Sequence, residues 1–257
     1  MNDHVQVERN AGLVTLRLNR PEKKNSLTNA MYGQLAEALR SADADSSVRA
    51  VLITGGDDCF TSGNDVADFL QNPPRDMSSN VFHFMLALFE FSKPVVAAVC
   101  GPAVGIGTTL LLHCDLVYTQ RDALLRMPFV NLGLCPEFGS SLILPQMLGH
   151  AKAAELLLLG ESFSGEQAAQ WGIANQALED SQATHAKALE MAMRFVQLPP
   201  SALADSKRLM RSPDRQKLRE VIEEEGALFC KRLHSPEARE AMTAFMQRRQ
   251  PDFSQFS

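Results

Sequence analysis

With 257 residues, 45% hydrophobic and 21% charged, the chain fits one large globular domain, or one domain with an appended helical segment. A formal net charge of −5 argues against a general nucleic-acid-binding face, so any anionic ligand would have to meet a local cluster of positive charge. The five cysteines are widely spaced and lack a CxxC pair, which favours reduced thiols over a disulfide framework or a zinc site.

Val5 and Val7, followed by Leu13 to Leu18, flank Asn10-Ala11-Gly12 and predict a hairpin. Asn25 to Thr28 offers caps for a helix to about Ala42, with Leu35 and Leu39 on one face. Ala50 to Thr54 reads as a buried strand, and Phe60 to Val66 as a loop entering a short helix. Asn72-Pro73-Pro74-Arg75 is a break, Ser78 to Phe91 a helix, and Pro94 to Cys100 a second buried strand. Gly101 to Gly107 then opens a helix to about His113. Leu116 to Tyr118 and Leu124-Leu125 are short strands, and nearly everything beyond Gly139 has helical period. Strands and helices interleave first and helices follow, which is an α/β architecture with a helical tail. No segment reaches the ~18 apolar residues of a membrane span. Met1 to His4 has no leader pattern and Ser254 to Ser257 is no peroxisomal address, so the expectation is a cytoplasmic protein without a membrane or nucleic-acid partner.

Glu137 is the only acidic residue between Asp122 and Glu155, and it lies on a Pro/Gly turn among Leu134, Cys135 and Phe138. Such surroundings disfavour the ionised carboxylate and raise its pKa toward neutrality, as acid and base catalysts require. On these residues alone, a turn side chain facing water is the reading to be preferred. Gly101-x-x-x-Gly105-x-Gly107 after a strand invites a dinucleotide-binding reading. Its late position, and Ala36 and Asp122 four residues after Tyr32 and Tyr118, argue against a nicotinamide enzyme. The glycines still offer close backbone approach and unpaired helix N–H groups suited to an oxygen that becomes anionic. Tight strand-to-helix packing would use them equally well. Asp65 in the other loop suits a helix N-cap as readily as a functional role. His113-Cys114-Asp115 reads as structural rather than as a metal site or nucleophile.

Taken together, Phe60-Thr61-Ser62-Gly63-Asn64-Asp65-Val66 and Gly101-Pro102-Ala103-Val104-Gly105-Ile106-Gly107, with Cys114-Asp115 after them, resemble the two signature loops of the enoyl-CoA hydratase/isomerase (crotonase) superfamily. Leu18-Asn19-Arg20-Pro21 and Asn25-Ser26-Leu27 are similar to that family's opening. The resemblance implies a spiral of ββα repeats over residues 1–195 and a helical region over 196–257 that mediates a homotrimer or dimer of trimers. It implies an acyl-CoA thioester substrate, with coenzyme A part of the substrate and no separate cofactor or metal. Backbone N–H groups of Asn64 and Ile106 would form the oxyanion hole, and Ser62, Gly63, Asp65, Gly105 and Phe138 would line the substrate site. Lys23 and Lys24, in a patch with Arg17 and Arg20, would meet the phosphates of coenzyme A.

Hydratases of this family resemble one another in carrying two glutamates, at positions held here by Thr109 and Phe129, neither of which transfers protons as a carboxylate does. Asn131 to Ser141 instead resembles the isomerase branch, which has a single glutamate at the Glu137 position. Phe138 departs from that branch, where glycine is usual. The expectation is therefore an enoyl-CoA isomerase moving a β,γ double bond to α,β through a dienolate, in fatty-acid β-oxidation or related acyl-CoA metabolism. A hydratase, another single-base reaction of the family, or a non-catalytic acyl-CoA-binding scaffold are the alternatives.

Overall fold

The computed structural model describes residues 4–256; Met1 to Asp3 and Ser257, where part of the terminal-signal reading falls, lie outside it. The strands are β1 (Val5–Asn10), β2 (Leu13–Leu18), β3 (Ala50–Thr54), β4 (Val95–Val99), β5 (Ala103–Val104), β6 (Leu116–Gln120), β7 (Leu124–Arg126), β8 (Phe163–Ser164) and β9 (Gln176–Leu178). The first helices are α1 (Asn29–Ala44), α2 (Val66–Gln71), α3 (Asn80–Glu90), α4 (Ile106–Thr109), α5 (Ser140–Leu148) and α6 (His150–Leu158). The chain ends through α7 (Gly165–Gln170), α8 (Ser181–Gln197), α9 (Pro200–Arg211), α10 (Arg215–Leu233) and α11 (Pro236–Gln247).

Six strands form the main sheet in the order β1-β2-β3-β4-β6-β9, antiparallel only at the β1–β2 hairpin. Strands β5, β7 and β8 make a second, smaller sheet. The alternation of strand side chains divides the apolar content between two faces. Val51, Ile53, Val95, Ala97 and Val99 face the large core with α1 and α3, whereas Leu52, Val96 and Ala98 pack with Ala188 and Ala192 of α8.

Most predicted elements are present, and Thr28 caps α1 by accepting the Met31 amide at 3.3 Å. The uniformly helical reading beyond Gly139 is corrected by β8 and β9, two and three residues long. Segments this short complete too little of a two-residue period to be distinguished from the helical pattern around them.

Parallel pairing decides where a site can lie. β3 and β4 run in the same direction, so the chain leaves both at the same edge of the sheet. The loops over residues 55–65 and 100–105 are therefore neighbours, at the carboxyl ends of the strands where open α/β sheets place ligands.

Candidate active site

The two glycine-containing loops are stitched together by main-chain bonds. Thr61 N donates to Pro102 O at 3.0 Å, and Val104 N donates to Thr61 O at 3.0 Å. Gly63 has φ +88°, and a Cβ there would stand 2.8 Å from the Val104 carbonyl oxygen. A Cβ on Gly107 would meet the Thr61 side chain at 2.5 Å. Only glycine permits this approach at either position.

Next to Asn64, Gly63 O accepts from Leu27 N at 2.8 Å, and Asp65 N donates to Leu27 O at 2.9 Å. The alternation turns the intervening Asn64 N–H to the other side, where it has no acceptor among the described residues. Ile106 is the first residue of α4, after Gly105 at φ +58°, and its N–H is likewise without an acceptor among the described residues. The Asn64 side chain is held separately: Tyr32 Oη, from the buried face of α1, donates to Asn64 Oδ1. That role for Tyr32 is a surprise of the structure, although its place on the Leu35 and Leu39 face already marks it as inward-pointing.

Glu137 is buried at 2% exposure, which rules out the solvent-facing turn. Burial, then the negative charge of Glu225, raise its pKa to about 8. The Thr109 hydroxyl acts in the opposite direction. Neither Thr109 Oγ1 nor Glu137 Oε1 meets a partner at ordinary hydrogen-bond geometry. A carboxyl oxygen and a hydroxyl are thus both buried without a protein partner among the described residues. Phe129, at the other hydratase position, is buried against the Phe229 ring at 6.5 Å between centroids.

The turn carrying Glu137 is over-determined. Glu137 O accepts from Ser140 Oγ at 2.7 Å, and the Phe138 backbone, with φ +58°, is locked by His113. Phe138 is buried at 1% and stacks on His113. Its left-handed backbone explains in physical terms why glycine suits this position. Burial drives the His113 pKa down to about 3, keeping the imidazole neutral. Asp115 accepts from Val95 N, Lys207 Nζ and Arg211, so His113 and Asp115 both serve the framework, as the sequence suggested.

Asp65 caps α2 by accepting the Asp68 amide at 3.1 Å and pairs with Arg20 at 2.6 Å. Arg17 donates to Gly55 O. Of the basic patch, Lys23 and Lys24 stay exposed and form no ion pair among the described residues. They adjoin the Asn64 loop, since Ser62 N donates to Lys24 O at 3.0 Å.

Glu225 went unrecognised in the sequence because Glu223-Glu224-Glu225 looks like a solvated charge run. Yet Leu218, Ile222, Glu225 and Phe229 recur at spacings of four, three and four, which puts Glu225 on the inward stripe.

The family profile described as enoyl-CoA hydratase/isomerase matches residues 8–256. The chain is 35% identical to human enoyl-CoA delta isomerase 2 over 93% of its own length, spanning 62% of that longer protein. It is 34% identical to 1,2-epoxyphenylacetyl-CoA isomerase of Escherichia coli K12, with 95% of each chain covered. Among solved structures, OdaA of Pseudomonas aeruginosa superposes with a TM-score of 0.95 at 65% identity, covering 96% of this chain and 100% of that one. An enoyl-CoA hydratase/isomerase from Pseudoalteromonas atlantica superposes at 0.92 and 36% identity, over 98% and 100% of the two chains. With the loops, the buried acid and these similarities in agreement, the chain belongs to the enoyl-CoA hydratase/isomerase family of the crotonase superfamily.

Proposed function

We propose that this enzyme is an enoyl-CoA isomerase, shifting a β,γ double bond of an unsaturated acyl-CoA to the α,β position. The observation that carries the reading is the buried carboxyl of Glu137, with an oxygen that has no protein partner among the described residues, in a site whose two hydratase positions hold Thr109 and Phe129. Isomerisation needs a single base. Glu137 takes the α-proton, which thioester and alkene together acidify, and the electron pair moves into a dienolate. The Asn64 and Ile106 amides hold the dienolate oxygen. The carboxyl then returns its proton to the γ-carbon, leaving the conjugated thioester.

A pKa near 8 supports this role: at neutral pH the ionised form is a far stronger base than an ordinary glutamate, and the acid form readily gives the proton back. Each oxyanion donor contributes ~10²–10³ in rate. Coenzyme A enters as part of the substrate, Lys23 and Lys24 meet its phosphates, and the reaction calls for no further cofactor. The exposed Leu209, Met210, Phe245 and Met246 on α9 and α11 suit the subunit contacts of a homotrimer. No helix among the described residues is long and apolar enough to cross a membrane.

The test is direct. Purified protein supplied with a β,γ-enoyl-CoA should generate the absorbance of the conjugated thioester, with no mass gain of water in the product. A 3-hydroxyacyl-CoA as the initial product would make it a hydratase instead. Binding without turnover would make it a scaffold.

A further inference from the structure

We propose that Glu225, on helix α10, is a positioning residue for Glu137: it clamps the turn that carries the base and brings a second carboxylate against that turn. The clamp is geometric. Glu225 Oε2 accepts the Gly139 amide at 2.5 Å, and Oε1 accepts the Ser141 amide at 2.9 Å. Those amides lie two and four residues beyond Glu137, at the start of α5, where helix N–H groups need acceptors and favour an anion. The side chain reaches them from more than eighty positions away in sequence, and it is only 7% exposed. Around this contact α10 lies close on the turn. Leu218 and Ile222 pack on Gly139, where a Cβ would stand 2.4 Å from Leu218 Cδ1, and Cys135 Sγ donates to Glu225 O at 3.8 Å.

The charge argument follows from who else faces Glu137. Tyr32 from α1 has a pKa raised well above its ordinary value by burial, so it is neutral. Thr109 from α4 does not titrate. Cys135 on the turn itself is pushed up to about 11, first by burial and then by Glu225, and is also neutral. His113, which reaches the turn through Phe138 O, is neutral above pH 3 or so. Glu225 is the remaining group and forms no ion pair among the described residues. Its own pKa is raised by burial, but the Ser141 and Gly139 bonds and the helix terminus stabilise its anion. Glu137 has no such bond at Oε1. The two amide bonds favour the Glu225 anion, and a negative charge there disfavours ionisation of Glu137.

This inference rests on Glu137 being the base, but its test does not require turnover. The protonated carboxyl stretch of Glu137 is identified in infrared difference spectra as the band lost in Glu137→Gln, and its midpoint is followed against pH. In Glu225→Gln the midpoint should fall by about one pH unit, corresponding to ~10-fold in proton affinity. Glu225→Asp keeps the charge but withdraws it by one methylene, and its midpoint should fall in the same direction by less. Should the glutamine variant fail to fold, the aspartate variant carries the measurement. A wild-type midpoint in a folded variant overturns the proposal, whatever its melting temperature. A protein that lacks isomerase activity yet shows the shifted band would refute the reaction and uphold the coupling of Glu225 to Glu137.

Discussion

His113 Nε2 donates to the Phe138 carbonyl at 2.7 Å while the two rings stack 3.7 Å apart at 15°. One side chain thus satisfies a buried carbonyl and covers a phenyl ring whose backbone sits at φ +58°. The Glu137 turn is bent into a conformation that a phenylalanine resists, and the imidazole offsets that cost.

Removing the imidazole should expose the strain. His113→Ala leaves the Phe138 carbonyl unpaired and a cavity beside the ring, so we expect a loss of ~3–5 kcal/mol in denaturant unfolding. Phe138→Gly relieves about 1 kcal/mol of left-handed backbone cost but forfeits a buried phenyl worth ~3–5 kcal/mol. The net change should be destabilising by ~2–4 kcal/mol. A Phe138→Gly protein more stable than wild type would show that backbone strain outweighs the packing.

The loop contact at Gly63 predicts a functional loss larger than its stability cost. Gly63→Ala puts a Cβ 2.8 Å from the Val104 carbonyl, at a φ of +88° that alanine resists. The loops carrying Asn64 and Ile106 must then separate by several tenths of an ångström. We expect kcat to fall ~10²-fold, the scale of one lost oxyanion donor, with KM little changed. Steady-state kinetics decides this, and an unchanged kcat would mean that the two amides do not act together.

Asp115 should matter for stability and not for chemistry. Its carboxylate accepts Val95 N at 2.8 Å, Lys207 Nζ at 2.7 Å and Arg211 at 3.1 Å, tying α9 to the sheet. Lys207 is largely buried, and Asp115→Ala would strand its charge. A loss of ~3–5 kcal/mol is expected, with kcat and KM unchanged where the variant is still folded. Thermal melts and kinetics on one preparation separate the two effects.

Much of this was legible in the chain. Strand and helix periodicity locates β1 to β4, α1 and α3, because each is long enough to show its period. Glu137, with Asn64 and Ile106 in their loops, stands out because glycine spacing and a lone acid are local signals. Glu225 and Tyr32 are different. Their partners, Gly139 and Asn64, lie 86 and 32 positions away, and no local pattern records such a pairing. Asp65 shows the reverse: its capping bond to Asp68 is local and foreseeable, while its ion pair with Arg20 depends on the loop's folding back 45 residues.

Glu137 should lower stability where it is most useful. Its folded-state pKa, about 8, lies above the ordinary 4.5, so between these values the folded protein holds a proton that the unfolded chain has lost. Stability from this group is complete below pH 4.5 and is lost as pH rises through 8, by an amount on the order of 3–5 kcal/mol. Glutamine carries no charge at any pH. Glu137→Gln should therefore match wild type near pH 5 and unfold at clearly higher denaturant at pH 9. With Glu137 as the proposed base, the same titration would govern catalysis: wild-type activity on a β,γ-enoyl-CoA should rise with pH through an acid limb near 8, and the glutamine variant should lose at least ~10³ in kcat. Denaturation at the two pH values, with one kinetic pH profile, measures both sides of the exchange. If Glu137→Gln proves no more stable at pH 9 than at pH 5, relative to wild type, burial does not hold the Glu137 carboxyl protonated in the folded protein.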